Sequence, residues 1–141
     1  MNVKLLGVNA ITLGVLEEQV LTSIEWTDPT PLPFGPASVC GVVSIQGRMF
    51  TVVDVGLILG SQTGIQEPRF IVALRGDEQL ALAVTEANDI VEIDPKEITP
   101  EAESTLVRGK IQLDGKEISL LDIDALFAGV IRGRERRKRR L

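Results

Sequence analysis

The chain predicts an all-β protein built from two small five-stranded, barrel-like halves, with a few short helices, and three observations carry that prediction. Short apolar runs alternate with turn residues every few positions, and no long helical period develops. The apolar content of 44% is dominated by Val, Ile and Leu, while aromatic residues reach only 4% and Tyr is missing, so the core must be aliphatic. Residues 41–59, GVVSIQGRMFTVVDVGLIL, are echoed 68 positions later by residues 109–127, GKIQLDGKEISLLDIDALF. Gly41, Gly47 and Asp54 fall on Gly109, Gly115 and Asp122, and Arg48 falls on Lys116. Apolar residues coincide as well, Val43 with Ile111, Phe50 with Ile118 and Val52 with Leu120 among them.

Taken in order, residues 3–8 and 10–16 read as two strands, with Gly14 suggesting an edge or a bulge in the second. Residues 17–25 read as a short turn followed by a strand ending near Trp26. The run DPTPLPFGP, residues 28–36, holds four prolines, which fix φ and remove backbone donors, so it is an ordered but irregular loop. Residues 42–45 and 49–53 form a hairpin turning at Gln46-Gly47, after which Asp54 caps a short helix closed by Gly60. The polar run of residues 61–68 marks a boundary between the halves.

Residues 70–74 and 80–84 form the next hairpin. With a shift of 69, Leu13, Val15, Leu21 and Ile24 meet Leu82, Val84, Ile90 and Ile93, so the duplication reaches beyond the first stretch. Asp94 and Pro95 start one helical turn that Pro100 ends, and residues 101–105 are a polar loop. The second copy then supplies strands 111–113 and 117–121 around Asp114-Gly115, and a short helix from Asp122 to Phe127. The expected domain spans residues 1–131, with a first subdomain at about 10–60 and a second at about 69–131, which the N-terminal strand is a candidate to join.

One cysteine, Cys40, rules out an intrachain disulfide and thiolate-cluster metal sites, and its plain reading is a small buried hydrophobe. The absence of histidine removes the commonest general base and metal ligand. Neither a secretory signal nor a run of 18 apolar residues is present, so a cytoplasmic protein without membrane insertion is expected. The net charge of −5 conceals an asymmetry: residues 132–140 carry seven basic side chains and one acid, or +6, leaving −11 on residues 1–131. That tail, RGRERRKRR, reads first as a solvated, disordered end. Contact with an acidic protein surface, the chain's own body included, is the second reading, and nucleic acid or an anionic membrane surface the third.

Two aspartates at equivalent places invite comparison with a dyad that shares a proton, and an enzyme using Asp54 and Asp122 is one hypothesis. Neither acid is followed by the small hydroxyl residue and glycine that such a dyad needs, and a carboxylate capping the first helical turn accounts for both. The glycines match no phosphate-binding loop.

The run GVVSIQGRMFTVVDV, preceded by PLPFGP and followed by RFIVALRGDEQLALAVTEANDIVEIDPKEITP and GKIQLDGKEISLLDIDALF, resembles the CheW-like domain over residues 3–128. That family comprises the coupling proteins of bacterial chemotaxis arrays and the end domain of the histidine kinase CheA. The resemblance implies two five-stranded β subdomains around a shared core, no catalytic activity and no cofactor, metal or small-molecule substrate. It implies an adaptor between a chemoreceptor's cytoplasmic tip and the regulatory domain of a CheA-type kinase, with no nucleic acid as partner. Carried over by position, Val20, Gly41, Val42, Ile45 and Gln46 fall at the receptor groove, and Gly47, Arg48 and Met49 at the kinase face. An aspartate at Gly41 is then expected to weaken receptor contact more than folding.

The chain departs from the family pattern at several points. Gln46 stands where the family has Arg, and Thr22 where it has the Glu that pairs with it, so both charges are lost together and neither is left unmatched. Thr51 replaces a Pro and Gly56 a basic residue. These departures keep two alternatives open: a divergent CheW-like scaffold of another signalling pathway, or a binder of nucleic acid or membrane surfaces through its tail.

Overall fold

A computed structural model describes residues 1–33, 35–101 and 106–128. The strands are β1 (Asn2–Val8), β2 (Ile11–Leu16), β3 (Val20–Glu25), β4 (Val39–Ile45), β5 (Arg48–Val53), β6 (Phe70–Leu74), β7 (Leu80–Val84), β8 (Glu86–Glu92), β9 (Thr99–Pro100), β10 (Val107–Leu113) and β11 (Lys116–Leu121). Single 3-10 turns occupy Glu17–Gln19 and Pro95–Glu97; α1 is Val55–Ile58, and residues 123–128 form α2. The basic tail, residues 132–141, lies outside the described residues.

Two curled sheets share these strands in an order that is not the chain order. One runs β3-β6-β7-β5-β4 and the other β8-β1-β2-β11-β10-β9. Neither closes by hydrogen bonds: β3 and β4 stand at opposite edges of the first, so the halves are barrel-like rather than barrels. The linear division at residues 61–68 does not coincide with the sheets. Hairpin β1-β2 lies with β8, β10 and β11, while hairpin β6-β7 lies with β3, β4 and β5. Each sheet thus takes its central hairpin from the other repeat, and parallel pairings of β5 with β7 and of β11 with β2 make the joins.

Within the repeated stretch the backbone is duplicated in detail. Val43 pairs with Phe50 and Ile45 with Arg48 in the first hairpin; Ile111 pairs with Ile118 and Leu113 with Lys116 in the second, 68 positions on in each case. Both registers slip at the same place, between Val39 and Gly41 and between Val107 and Gly109. Both turns take two left-handed residues, Gln46 (φ 53°) with Gly47 (φ 76°) and Asp114 (φ 50°) with Gly115 (φ 78°), the geometry that matches strand twist in a two-residue hairpin.

Three apolar clusters result. Val43, Ile45, Phe50, Val52, Ile71, Ala73, Ala81 and Ala83 fill the first sheet's concave side. Val3, Leu16, Ile93, Ile111, Ile118 and Leu120 fill the second. Between the sheets lies the largest layer, in which Leu6, Leu13 and Val15 meet Val53, Val72, Leu74, Leu82 and Val84, with Leu121 and Leu126. Strand β7, LALAV, is buried along its whole length because its leucines and valine face this layer while its alanines face the tight concave side.

Several sequence expectations change. Gly14 marks neither an edge nor a bulge: β2 is paired on both sides, and a Cβ at Gly14 would stand 2.8 Å from Val3 Cγ1, so the glycine lets the second cluster pack. Strand β8 went unpredicted because its sequence EANDIVE is mostly polar and exposed, and its place is set by pairing with β1. The two-residue β9 is likewise fixed by β10 alone.

The central layer makes a direct stability prediction. Leu82→Ala, which removes a fully buried side chain, is expected to cost about 3 kcal/mol in urea unfolding. Ile11→Ala, at a position 55% exposed, should stay within about 0.5 kcal/mol.

Candidate functional site

The proline-rich loop and hairpin β4-β5 form one unit. The Thr30 amide donates to the Val42 carbonyl and the Val42 amide to the Thr30 carbonyl, both at 2.9 Å, so the loop is laid against β4 as an extra half-strand. Gly41 makes this possible. Its φ is +144°, and a Cβ there would sit 2.7 Å from the Thr30 carbonyl carbon and 2.9 Å from Pro29 Cβ. The second copy repeats the device, with Gly109 under the Thr99 carbonyl and Lys110 paired with Thr99.

Asp54 anchors the base of the hairpin. It is the buried polar residue of the core, 4% exposed, and its Oδ1 accepts the Leu57 amide at 3.3 Å while its Oδ2 accepts the Ile65 amide at 2.7 Å. The capping reading therefore holds, and the carboxylate does more than cap, because it draws the 61–68 segment back onto the body. Asn9 in the β1-β2 turn completes that attachment, donating to the Gly64 carbonyl at 3.2 Å and accepting the Gln66 amide at 2.7 Å. Asp122 accepts the Ala125 amide at 3.1 Å and caps α2 in the same way. The two acids serve different helices on different hairpins, each engaged with backbone amides, and the dyad comparison has no geometric support.

The residues expected at partner faces are distributed as follows. Gln46, Gly47, Arg48 and Met49 are exposed together at the hairpin end, Met49 by 53%. The Arg48 guanidinium lies 5.8 Å from the Phe50 ring centroid, which holds the cation over the mouth of the first cluster. Val20 and Val42 are half-buried on β3 and β4. Ile45 is 4% exposed and faces the first cluster, so it supports the hairpin from inside. Gly41 is buried beneath the Thr30 backbone, so the expectation that an aspartate there acts mainly on receptor contact is replaced: a side chain at this position displaces the proline loop first. Thr22 is on β3, at the far edge of the sheet from β4.

Comparison of the two copies isolates what is special about the first. Val42 and Met49 correspond by position to Lys110 and Glu117. In the second copy these are an ion pair at 3.0 Å, with Glu101 3.2 Å from the same ammonium, and Gln112 also reaches Glu117, at 3.4 Å. Hydrogen bonds that the Lys110 ammonium donates to Glu117 and then Glu101 hold its pKa above the ordinary value. One hairpin thus satisfies its outward side chains internally, whereas the other presents Met49 and half-buried Val42 without such partners. Duplicated backbone with unequal outer faces is the signal from which the site could have been sharpened in the sequence.

Cys40, beside this unit, is half-buried, and its thiol pKa is pushed up to about 11, first by burial and then by the Asp54 carboxylate. It is a packing residue and not a nucleophile.

Fold and surface define a class: a rigid two-sheet β scaffold that presents side chains on a hairpin and carries no catalytic constellation among its described residues. The model of the CheW-like domain matches residues 5–130. The chain is 30% identical over 110 residues to the chemotaxis protein CheW of Rhizobium meliloti, covering 72% of this chain and 71% of that one. It is 28% identical over 109 residues to the chemotaxis protein CheW of Thermotoga maritima, 74% and 72% of the two chains. Among solved structures, the scaffolding protein TtCheW of Thermoanaerobacter tengcongensis has the same fold, with a TM-score of 0.76 over 86% of this chain and 88% of that one, at 19% identity. The chain belongs to the CheW-like family, the non-catalytic adaptors of chemotaxis signalling.

Two measurements check the local geometry. Gly41→Ala is expected to lose about 3 kcal/mol through strain and collision with the Thr30 backbone. Gly47→Ala, with nothing within 4 Å of the new Cβ, should lose about 1 kcal/mol for its positive φ alone. Alkylation of Cys40 should be slow at pH 8 in the folded chain and accelerate on unfolding, since raising the pKa from 9.0 to about 11 cuts the thiolate fraction about a hundredfold. The sign for stability follows: the contribution of Cys40 is fully present below the unfolded value of 9.0 and is lost as pH rises toward 11.

Proposed function

We propose that this chain is a cytoplasmic chemotaxis adaptor that couples the cytoplasmic tip of a chemoreceptor to the regulatory domain of a CheA-type histidine kinase. The observation that carries the reading is the match to the CheW-like domain over residues 5–130, together with relatives that are themselves chemotaxis proteins. The hairpin end at Gly47, Arg48 and Met49 is the proposed kinase face, and Val20, Val42 and Gln46 belong to the proposed receptor groove, with Gly41 and Ile45 shaping it from beneath. In support, the outward side chains of β4 and β5 are apolar or exposed where the second copy has a self-paired Lys110–Glu117. An exposed methionine on a rigid strand suits a partner surface, because its flexible thioether packs against varied apolar contours.

The anchoring of the hairpin fits this role. Binding energy at such faces concentrates in a few well-placed side chains, and a tip that shifted would lose them. The Thr30–Val42 pairing along the edge and the Asp54 attachments at the base fix β4-β5 before any partner arrives.

The double variant Val42→Lys/Met49→Glu gives the first hairpin the outer charges of the second. It is expected to leave the urea midpoint almost unchanged while weakening capture by the kinase regulatory domain by about tenfold or more. Pull-downs against the kinase regulatory domain and the receptor tip separately test the assignment of faces. Failure of the unsubstituted chain to bind either would overturn the adaptor reading, and full retention by the variant would overturn the hairpin as its contact.

A further inference from the structure

The internal duplication makes an unequal pair of grooves. In the first copy a groove lies between the β1-β2 turn and the end of α1, lined by Val8, Ile11, Leu13, Leu59 and Ser61. The chain that leaves α1 there doubles back at once: Ser61 lines the groove, Asn9 takes Gly64 and Gln66, and Ile65 reaches Asp54. The counterpart lies between the β6-β7 turn and α2, with a volume of about 270 Å³, and is lined among others by Gln19, Asp77, Glu78, Asp124 and Phe127.

This second groove has two features that the first lacks. Its rim carries three carboxylates, Asp77, Glu78 and Asp124, with Arg75 as the one cation among the described lining residues, and no described residue pairs with these acids. The Gln19 side-chain oxygen is buried and has no hydrogen-bond donor. An acid-rimmed groove with an orphan amide oxygen calls for donors, and cationic donors above all.

The segment that would supply them begins five residues after Phe127. By position, Asn9, the residue that holds the returning chain in the first copy, falls on Glu78 at a shift of 69, and the segment 61–68 falls on residues 129–136 at a shift of 68. An amide that binds backbone stands opposite an acid, and a polar return segment opposite one that carries Arg132, Arg134 and Arg136, with Arg137 directly after it. We propose that residues 129–141 dock within their own chain in the groove between the β6-β7 turn and α2, with arginines on Asp77, Glu78 and Asp124. Tethering favours this occupant over an outside one, because a segment joined to the groove's own wall meets it at an effective concentration in the millimolar range. The proposal is independent of the adaptor reading, since it concerns the chain alone.

Amide spectra of the isotopically labelled full chain at low ionic strength test it. Docking predicts restrained amides in residues 130–140, and shift changes at Gly76 to Leu80 when the full chain is compared with a chain ending at residue 131. The restraint should fade as salt is raised to about 0.5 M, where charges more than a few ångströms apart are screened. Asp77→Lys/Glu78→Lys/Asp124→Lys should lower the docked-to-free ratio about eightfold, three exposed ion pairs at about twofold each. Asp89→Lys/Glu92→Lys/Glu97→Lys, an equal change of net charge placed around β8, should leave it unchanged. Narrow, unrestrained tail signals in the unsubstituted chain at low salt would overturn the proposal. So would equal effects of the two triple variants, or a docked signal that grows with protein concentration, which would assign the tail to a second copy.

Discussion

The structure depends on one apolar layer trapped between two curled sheets. Leu13, Val72, Leu82 and Leu121 meet there, with the Leu126 side chain of α2 closing one side. Each sheet is too narrow to bury both its faces alone, so the concave side of each is filled by its own aliphatic cluster and the convex side by the other sheet. This explains why aromatic residues are dispensable. The concave sides are tight enough that Ala73, Ala81 and Ala83 fill one of them around Phe50, and bulk is needed mainly in the shared layer.

From that frame follows the stiffness of the hairpin at residues 39–53. It is held on its inner face by Val43, Ile45, Phe50 and Val52, at its base by Asp54, and along its edge by the proline loop. Prolines that cannot donate hydrogen bonds occupy an edge where donors are not needed, and Thr30 alone makes the pairing. The hairpin is therefore a well-anchored platform. The second copy shows the same platform with its charges neutralised against one another.

Much of this was legible in the residues. The matched glycines and aspartates of the two stretches implied two equivalent hairpins with equivalent caps, and the registers agree to the residue. Turn chemistry was equally clear, because Gln-Gly and Asp-Gly at matching places admit the left-handed pair. What could not be read was the pairing between distant strands: hydrophobic alternation says which face of a strand is buried but not which neighbour buries it. Strand β8, polar along most of its exposed length, gave little alternation to read. The resemblance puts Gly41 at a contact face, and the close approach of the Thr30 backbone, which the sequence does not show, requires glycine there. The difference between the outer faces of the two hairpins rests on the contact of Lys110 with Glu117, which the sequence alone does not show.

The exchange of hairpins between repeats binds the two halves of the chain to each other. Residues 1–60 and 70–127 each hold a full set of strands, yet neither sheet can be completed from one set, because each keeps the other's middle hairpin. Two separate copies of such a half would meet the same requirement only as a domain-swapped dimer. The chain holds that arrangement covalently, with segment 61–68 joining the halves. Within it the two hairpins differ: the first leaves Met49 exposed, while its twin pairs Lys110 with Glu117.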